Sequence, residues 1–176
     1  MDTNTKLTDG IFSRITPLYI RNFIFGVEDS LVSTVGLLSG VAIAGVERHT
    51  ILLTGLVLIF VEAFSMGVGS FLSEHSVEEY AAQREVSSRR SVGGAVIMFG
   101  SYLVSGFIPL APYVLWQASS AFWISIVFSL AALFLLGACG ARLFKIGILR
   151  KGFEMLFVGG IAIGVGVFVG QFFAGF

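Results

Sequence analysis

No charged residue occurs between Ser91 and Ala141, and this long uncharged run limits the fold more than any other feature of the sequence. Two further runs extend from Thr50 to Ser73, where Glu62 is the single charge, and from Met155 to Phe176. A helix needs about 20 residues to cross the ~30 Å hydrocarbon core of a bilayer. The first run is therefore long enough for two crossings, and each of the others is long enough for one.

The composition agrees with a chain that lies mostly in lipid. It is 56% hydrophobic and 12% charged, with a mean hydropathy of +0.92, whereas a soluble domain carries about 25% charged residues. Because 11 basic residues balance 11 acidic residues, no positive field is available to bind nucleic acid. The single cysteine, Cys139, excludes an intrachain disulfide and a paired-cysteine metal site. Phosphate-loop, zinc-protease and serine-hydrolase motifs are absent, so we expect neither an enzyme nor a bound cofactor.

Five helices account for all the apolar runs. The uncharged stretch from Ser30 to Val46 is too short for a crossing by itself, so the first span must take Glu28 and Asp29 into or beside the membrane. We predict an all-α membrane protein with one domain, spans at about 23–46, 50–73, 91–114, 119–141 and 153–174, and a short segment at 74–90. The longest run should break where helix-stopping and turn-favouring residues gather, near Pro109, Pro112, Gln117, Ser119 and Ser120.

The basic residues predict the orientation, because Lys and Arg are retained on the cytoplasmic side. With five spans, one side of the membrane receives only Arg48, and the other side receives every other Lys and Arg. This distribution places the N-terminus in the cytoplasm and the C-terminus on the opposite side. The N-terminal segment lacks the basic and apolar regions of a signal peptide. The lack of such a targeting segment, together with the short loops between spans, favours a prokaryotic cell membrane as the location of the protein. A vacuolar membrane is the alternative location.

Glu62 is costly to bury, because it lies near the middle of the second span. Insertion scales assign an acidic residue there about 2.5–3.5 kcal/mol. The side chain should therefore face a protein interior or a water-filled cavity, where it could exchange a proton for a cation. A neutral Glu62 bonded to a neighbouring helix is the structural alternative.

Met66 lies one helical turn from Glu62 on the same face. A thioether beside a carboxylate suits a late first-row divalent ion better than Mg²⁺ or Ca²⁺, which prefer oxygen ligands. A methionine in an apolar helix is also a common gap filler. The pair alone is therefore weak evidence for a metal pathway.

Asp29 and Glu28 add acidic groups to the first span. Adjacent helical residues point about 100° apart, so only one of them can face a given pathway, and Asp29 shares its face with Ser33. A solvated helix start, which the helix dipole favours, is the alternative. In the last span, Glu154 follows Arg150 by four residues, and this spacing favours a surface ion pair.

Residues 74–90 are predicted to form a short cytoplasmic helix. The segment could collect metal ions, since Glu74 and Glu78 share a face, but a solvated helix with a Glu85–Arg89 pair explains it equally well. The accessory candidates for metal contact are Glu28, Ser33, Glu74 and Glu78.

Pairs of glycines four residues apart let helix backbones approach closely in a membrane. Five helices seldom enclose a polar pathway alone, so a homodimer is also expected, although the pairs do not identify its interface. The pairs are Gly36 and Gly40, Gly160 and Gly164, and Gly166 and Gly170.

The sequence resembles the vacuolar iron transporter family across nearly its whole length. The first two of the matching segments are specific, and the glycine-rich last one is not. In order, they are FGVEDSLVSTVGLLSGVA (Phe25 to Ala42), GLVLIFVEAFSMGVGSFLS (Gly55 to Ser73), GFIPLAPY (Gly106 to Tyr113) and MLFVGGIAIGVGVFVG (Met155 to Gly170).

The resemblance implies a five-helix protomer, a homodimer with the pathway near its interface, and proton-coupled export of Fe²⁺ from the cytosol. Mn²⁺, Co²⁺ or Zn²⁺ are implied as further substrates. It also implies that Asp29 and Met66 are transport ligands within the membrane.

Three departures from the family pattern affect these expectations. Ser30 stands where a glycine usually follows the acid, and Ser70 replaces an acid at the end of the second span. Many members also insert a long glutamate-rich domain after the second span, whereas this chain has only the short 74–90 segment. Nodulin-like plant members similarly lack the insert. The resemblance therefore does not extend to the domain that gathers metal ions in the cytoplasm in the members that carry the insert.

The leading hypothesis is therefore divalent-metal/proton antiport through Asp29, Glu62 and Met66. A metal ion must displace protons from its carboxylate ligands, which would couple the two fluxes. A passive cation channel or a carrier for another substrate is the first alternative. A non-transporting membrane partner, in which the acids only hold helices together, is the second.

Overall fold

The computed structural model describes residues 3–174, and the surroundings of side chains from Pro17 onward. Five helices form this part of the chain, and it contains no strand. All five include a segment long and apolar enough to cross a membrane. The helices are α1 (Thr3–Ile43), α2 (Arg48–Ala82), α3 (Arg89–Leu115), α4 (Ala118–Leu143) and α5 (Ile148–Ala174). The expected fold class, an all-α membrane protein with five spans, is confirmed.

Helices α1 and α3 form the centre of the bundle. α1 packs against α3 and α5, while α2 lies on the outside and packs mainly against α3. Fully buried apolar side chains from α1, α2 and α3 meet in one cluster that includes Leu38, Ile59 and Tyr113. A second cluster joins α1, α4 and α5 through Leu31, Leu133 and Met155. α1 is therefore in contact with every other helix, and its side chains connect both clusters.

Two of the three predicted glycine pairs bring α1 and α5 into backbone contact. A Cβ added at Gly40 would lie 2.6 Å from the carbonyl oxygen of Gly166, and one added at Gly166 or Gly170 would overlap the carbonyl oxygen of Gly36 or Gly40. The third pair, Gly160 and Gly164, has open space around it. These two glycines point away from α1, so they do not contribute to packing within the described part of the protomer.

The second helix is longer than its apolar run. Residues 74–82 are helical, as expected for the 74–90 segment, but they continue α2 without a break, and the helix does not extend to residue 90. The segment SEHSVEEYAA contains mostly residues that are compatible with a helix, and no Gly or Pro interrupts it. α2 ends at Ala82, and the next residue, Gln83, adopts a left-handed conformation with φ 51°.

Arg48 joins the start of α2 to the end of α3. Its Nε donates to the carbonyl oxygen of Tyr113 at 2.6 Å, and its Nη2 donates to that of Val114. These carbonyls belong to the last turn of α3, where intrahelical partners are missing. Only Trp116 and Gln117 then separate α3 from α4, so the break of the longest apolar run falls within the predicted region.

Candidate metal pathway

The packing of α1 against α2 brings Asp29 and Glu62 close enough to interact electrostatically. Both side chains are partly buried. They are far apart in sequence and lie on different helices, so only the helix packing can bring them together. Two carboxylates in one part of a membrane span form a local concentration of negative charge, which a cation or protons can neutralise.

Tyr102 of α3 completes the surroundings of this pair. It is fully buried, and its phenol oxygen lies 2.7 Å from Oγ of Ser33, one turn beyond Asp29 on α1. Tyr102 also interacts electrostatically with Asp29 and Glu62. The structure therefore brings Ser33, an accessory candidate, to the edge of the carboxylate pair. Sequence reasoning missed Tyr102, because a tyrosine in an apolar helix carries no distinctive signal.

Met66 and Glu62 lie on a side of α2 that is poorly covered within the protomer. Two neighbouring residues on this side of the helix are exposed, namely Ser65 and Gly69. A Cβ added at Gly69 would contact nothing. This side of α2 carries small and polar groups, whereas a lipid-facing helix surface is normally apolar.

A cavity of about 980 Å³ lies between α1 and α2. Glu28 from α1 and Met66 from α2 line it, as does Met98 from α3. Met98 is almost completely buried at 3% exposure, so a second methionine contributes to the wall of the same cavity. Of the predicted site residues, Glu28 and Met66 contact this cavity, while Asp29 and Glu62 do not border it.

Glu28 lies within electrostatic reach of the start of α5. It interacts with Lys151 and Glu154 there, and with its neighbour Asp29. The expected surface ion pair of Glu154 is present, but its partner is Lys151 at 2.8 Å instead of Arg150. A spacing of three residues brings these side chains together as effectively as one of four.

The two remaining accessory candidates have protein partners. Glu74 is buried at 6% exposure and pairs with Arg21 at 2.8 Å. Glu78 accepts a hydrogen bond from Ser91 at 3.2 Å and pairs with Arg90 at 3.3 Å. The expected Glu85–Arg89 pair is not formed in the described part of the chain. Both Glu74 and Glu78 therefore tie α2 to neighbouring helices.

No group of three or more His, Cys, Asp and Glu side chains that could hold a metal ion occurs among the described residues. Asp29 and Glu62 are thus a pair without a third ligand of these types. Thioethers, hydroxyls or a second copy of the chain would have to complete a metal site.

Comparison with known proteins connects this arrangement to a family. The family model described as "VIT family" matches residues 20–93 and 81–171. The protein named Vacuolar iron transporter 1 from Arabidopsis thaliana is 25% identical over 203 aligned positions, which cover 81% of each chain. The matched regions include all the residues of the candidate pathway. The chain is an integral membrane protein that belongs to the VIT family.

Proposed function

We propose that this protein exports divalent transition-metal ions from the cytosol in exchange for protons. The observation that carries the proposal is that Asp29 on α1 lies within electrostatic range of Glu62 on α2. Met66 lies one turn from Glu62 at a cavity between the same two helices. The iron transport in the name of the Arabidopsis relative supports metal ions as the substrate.

The chemistry of these groups favours a late first-row divalent ion. Two carboxylates supply charge, and the thioethers of Met66 and Met98 supply soft ligands that Mg²⁺ and Ca²⁺ bind poorly. Fe²⁺ is the proposed principal substrate, with Mn²⁺, Co²⁺ and Zn²⁺ as further ones. Because a carboxylate must lose its proton to bind the ion, metal entry releases protons and metal departure takes them up.

A homodimer would explain the uncovered side of α2. An acidic residue facing acyl chains would be unstable, whereas a second copy on this side would place two Glu62 and two Met66 side chains near one pathway. It would also supply the ligands that one protomer lacks among its described residues. We therefore propose that the pathway runs along the contact between two protomers.

The proposed direction of transport rests on the orientation that the basic residues predict. Arg21, Arg90 and Lys151 lie at the end of the bundle that we assign to the cytoplasm. The cavity opens near this end, since Arg21 and Ser70 line it. A prokaryotic cell membrane is the proposed location. The protein would act as a transporter without enzymatic activity or a resident cofactor.

The test is transport by the purified protein in sealed vesicles. An internal metal-sensitive dye and an internal pH dye report Fe²⁺ and proton movement together under anoxic conditions. We expect Fe²⁺ flux to drive an opposite proton flux, and we expect both Glu62→Gln and Asp29→Asn to abolish the coupled flux. Glu79→Gln is the control, because Glu79 is a partly exposed carboxylate, with 41% of its side chain accessible, that pairs with His75 of its own helix.

The outcomes separate the candidate functions. Metal flux that is insensitive to an imposed pH gradient would favour the passive channel. Full coupled flux in Glu62→Gln would remove Glu62 from the mechanism. Loss of thermal stability without loss of flux in both acidic variants would indicate that the carboxylates only hold the helices together.

A further inference from the structure

Glu74 is a buried carboxylate with donors from two helices on one oxygen. Its Oε1 accepts hydrogen bonds from Nη2 of Arg21 at 2.8 Å and from Nδ2 of Asn22 at 2.7 Å. Oγ of Ser70, one turn away on α2, adds a third at 3.1 Å. Asn22 is itself fully buried. Such a set of charge-assisted hydrogen bonds fixes the carboxylate and both partner side chains.

Gly94 of α3 makes the space for this network. A Cβ at Gly94 would lie 2.5 Å from Oε2 of Glu74 and 2.8 Å from Nδ2 of Asn22. Oε2 has no hydrogen-bond partner among the described residues. The second carboxylate oxygen therefore faces the backbone of α3, and Arg21 is the cation that neutralises the group.

The network lies where an ion would enter the cavity. Arg21, Asn22 and Ser70 line one part of the cavity, and Glu28 and Met66 line another. Arg21 precedes Asp29 by eight residues, which is about 12 Å along a helix at ~1.5 Å per residue. An ion that moves from the basic end of the bundle towards Met66 would thus pass the Arg21 guanidinium.

An unpaired arginine at this position would repel a divalent cation. The repulsion would be moderate, because the effective dielectric constant near a protein surface is about 20, which lies between the values for dry protein and for water. The ion pair with Glu74 removes the net charge and draws the guanidinium towards α2. Arg21 still has 66% of its side chain exposed, so the charge would face the entrance if Glu74 did not compensate it.

We propose that Glu74 is a positioning residue that keeps Arg21 in a neutral pair, so that the mouth of the cavity admits divalent cations. This inference rests on the proposed transport function. It assigns Glu74 a role in metal entry without making it a metal ligand. It also predicts that Arg21 is the group responsible for the defect when Glu74 is neutralised.

The test compares Glu74→Gln, Arg21→Gln and the double variant in inverted membrane vesicles, with external Fe²⁺ as the probe. We expect Glu74→Gln to raise KM for Fe²⁺ about tenfold with little change in kcat, since charge at an entrance changes the rate of association. Raising the ionic strength should reduce this defect. The double variant should return KM to within about threefold of the wild-type value, because it restores neutrality.

Matched measurements keep electrostatics separate from folding. Glu79→Gln removes an acid from the same helix end without uncovering Arg21, and its KM should stay unchanged. Thermal unfolding reports whether each variant folds. A double variant as defective as Glu74→Gln, or a salt-independent defect, would show a structural role and overturn the proposal. An unchanged KM in Glu74→Gln would overturn it as well, while a wild-type protein that moves no metal would refute the proposed function and this inference with it.

Discussion

Substitution of Gly166 by alanine tests how strongly the contact between α1 and α5 supports the protein. The added Cβ would overlap the carbonyl oxygen of Gly36, and its next nearest neighbours are the carbonyl carbon of Gly36 at 2.8 Å and its Cα at 3.3 Å. All three are backbone atoms, which cannot rotate away as a side chain could. The two helices must therefore separate locally to accommodate one methyl group.

The cost follows from the geometry. Overpacking of a close-packed interior typically costs about 1–3 kcal/mol, and the approach to backbone atoms places this site at the upper end, at about 3 kcal/mol. Alanine gains about 0.5–1 kcal/mol over glycine from its higher helix propensity. We therefore expect Gly166→Ala to lower the free energy of unfolding by about 2 kcal/mol.

Gly164→Ala is the matched control on the same helix. Gly164 has no atom within contact distance of an added Cβ, so only the propensity term applies there, and the variant should be unchanged or more stable by up to about 1 kcal/mol. Unfolding of both variants in the same detergent gives the two free energies directly. Equal stabilities for Gly166→Ala and Gly164→Ala would refute the close contact between α1 and α5.

Three further predictions concern single side chains. Arg48→Met should destabilise the protein by about 1.5–3 kcal/mol, because two carbonyls of α3 lose a charged donor; an unaltered unfolding midpoint would contradict this role. Tyr102→Phe should cost about 1 kcal/mol through its bond to Ser33, whereas Tyr113→Phe removes a hydroxyl without a partner among the described residues and should be neutral or stabilising. Thermal unfolding should therefore give Tyr102→Phe a lower unfolding temperature than Tyr113→Phe, and the reverse order would contradict this prediction. Met66→Leu should reduce Fe²⁺ and Co²⁺ flux more than Mn²⁺ flux, because the thioether favours softer ions; a constant flux ratio in competition assays would exclude Met66 as a ligand.

The spacing of charges was sufficient to predict the five helices. The runs Thr50–Ser73 and Met155–Phe176 each match one crossing, and the longest run matches two crossings that are interrupted near Gln117. The first span is complete only when Glu28 and Asp29 are included. The continuation of α2 to Ala82 could not be read from hydropathy, because residues 74–82 are polar and helical at once. Hydropathy reports where lipid ends, and it does not report where a helix ends.

The candidate site was only partly predictable. Glu62 is conspicuous because a lone acid in an apolar helix is costly, but its proximity to Asp29 depends on how α1 and α2 pack. From the sequence alone, Glu74 is expected to be solvated, because it lies next to His75 and near several arginines. In the structure it is buried, because Gly94 on another helix provides the space for it. Sequence periodicity describes one helix at a time and contains no information about such a recess.

The clamp that Arg48 forms on α3 limits how the bundle can change shape. It ties α2 to the end of α3, and the hydrogen bond from Ser125 to the carbonyl oxygen of Pro109, at 2.7 Å, ties α4 to α3. α2, α3 and α4 are therefore fastened to one another near the end of the bundle opposite the basic residues. Opening of the bundle at that end would then have to break the hydrogen bonds of Arg48 or that of Ser125.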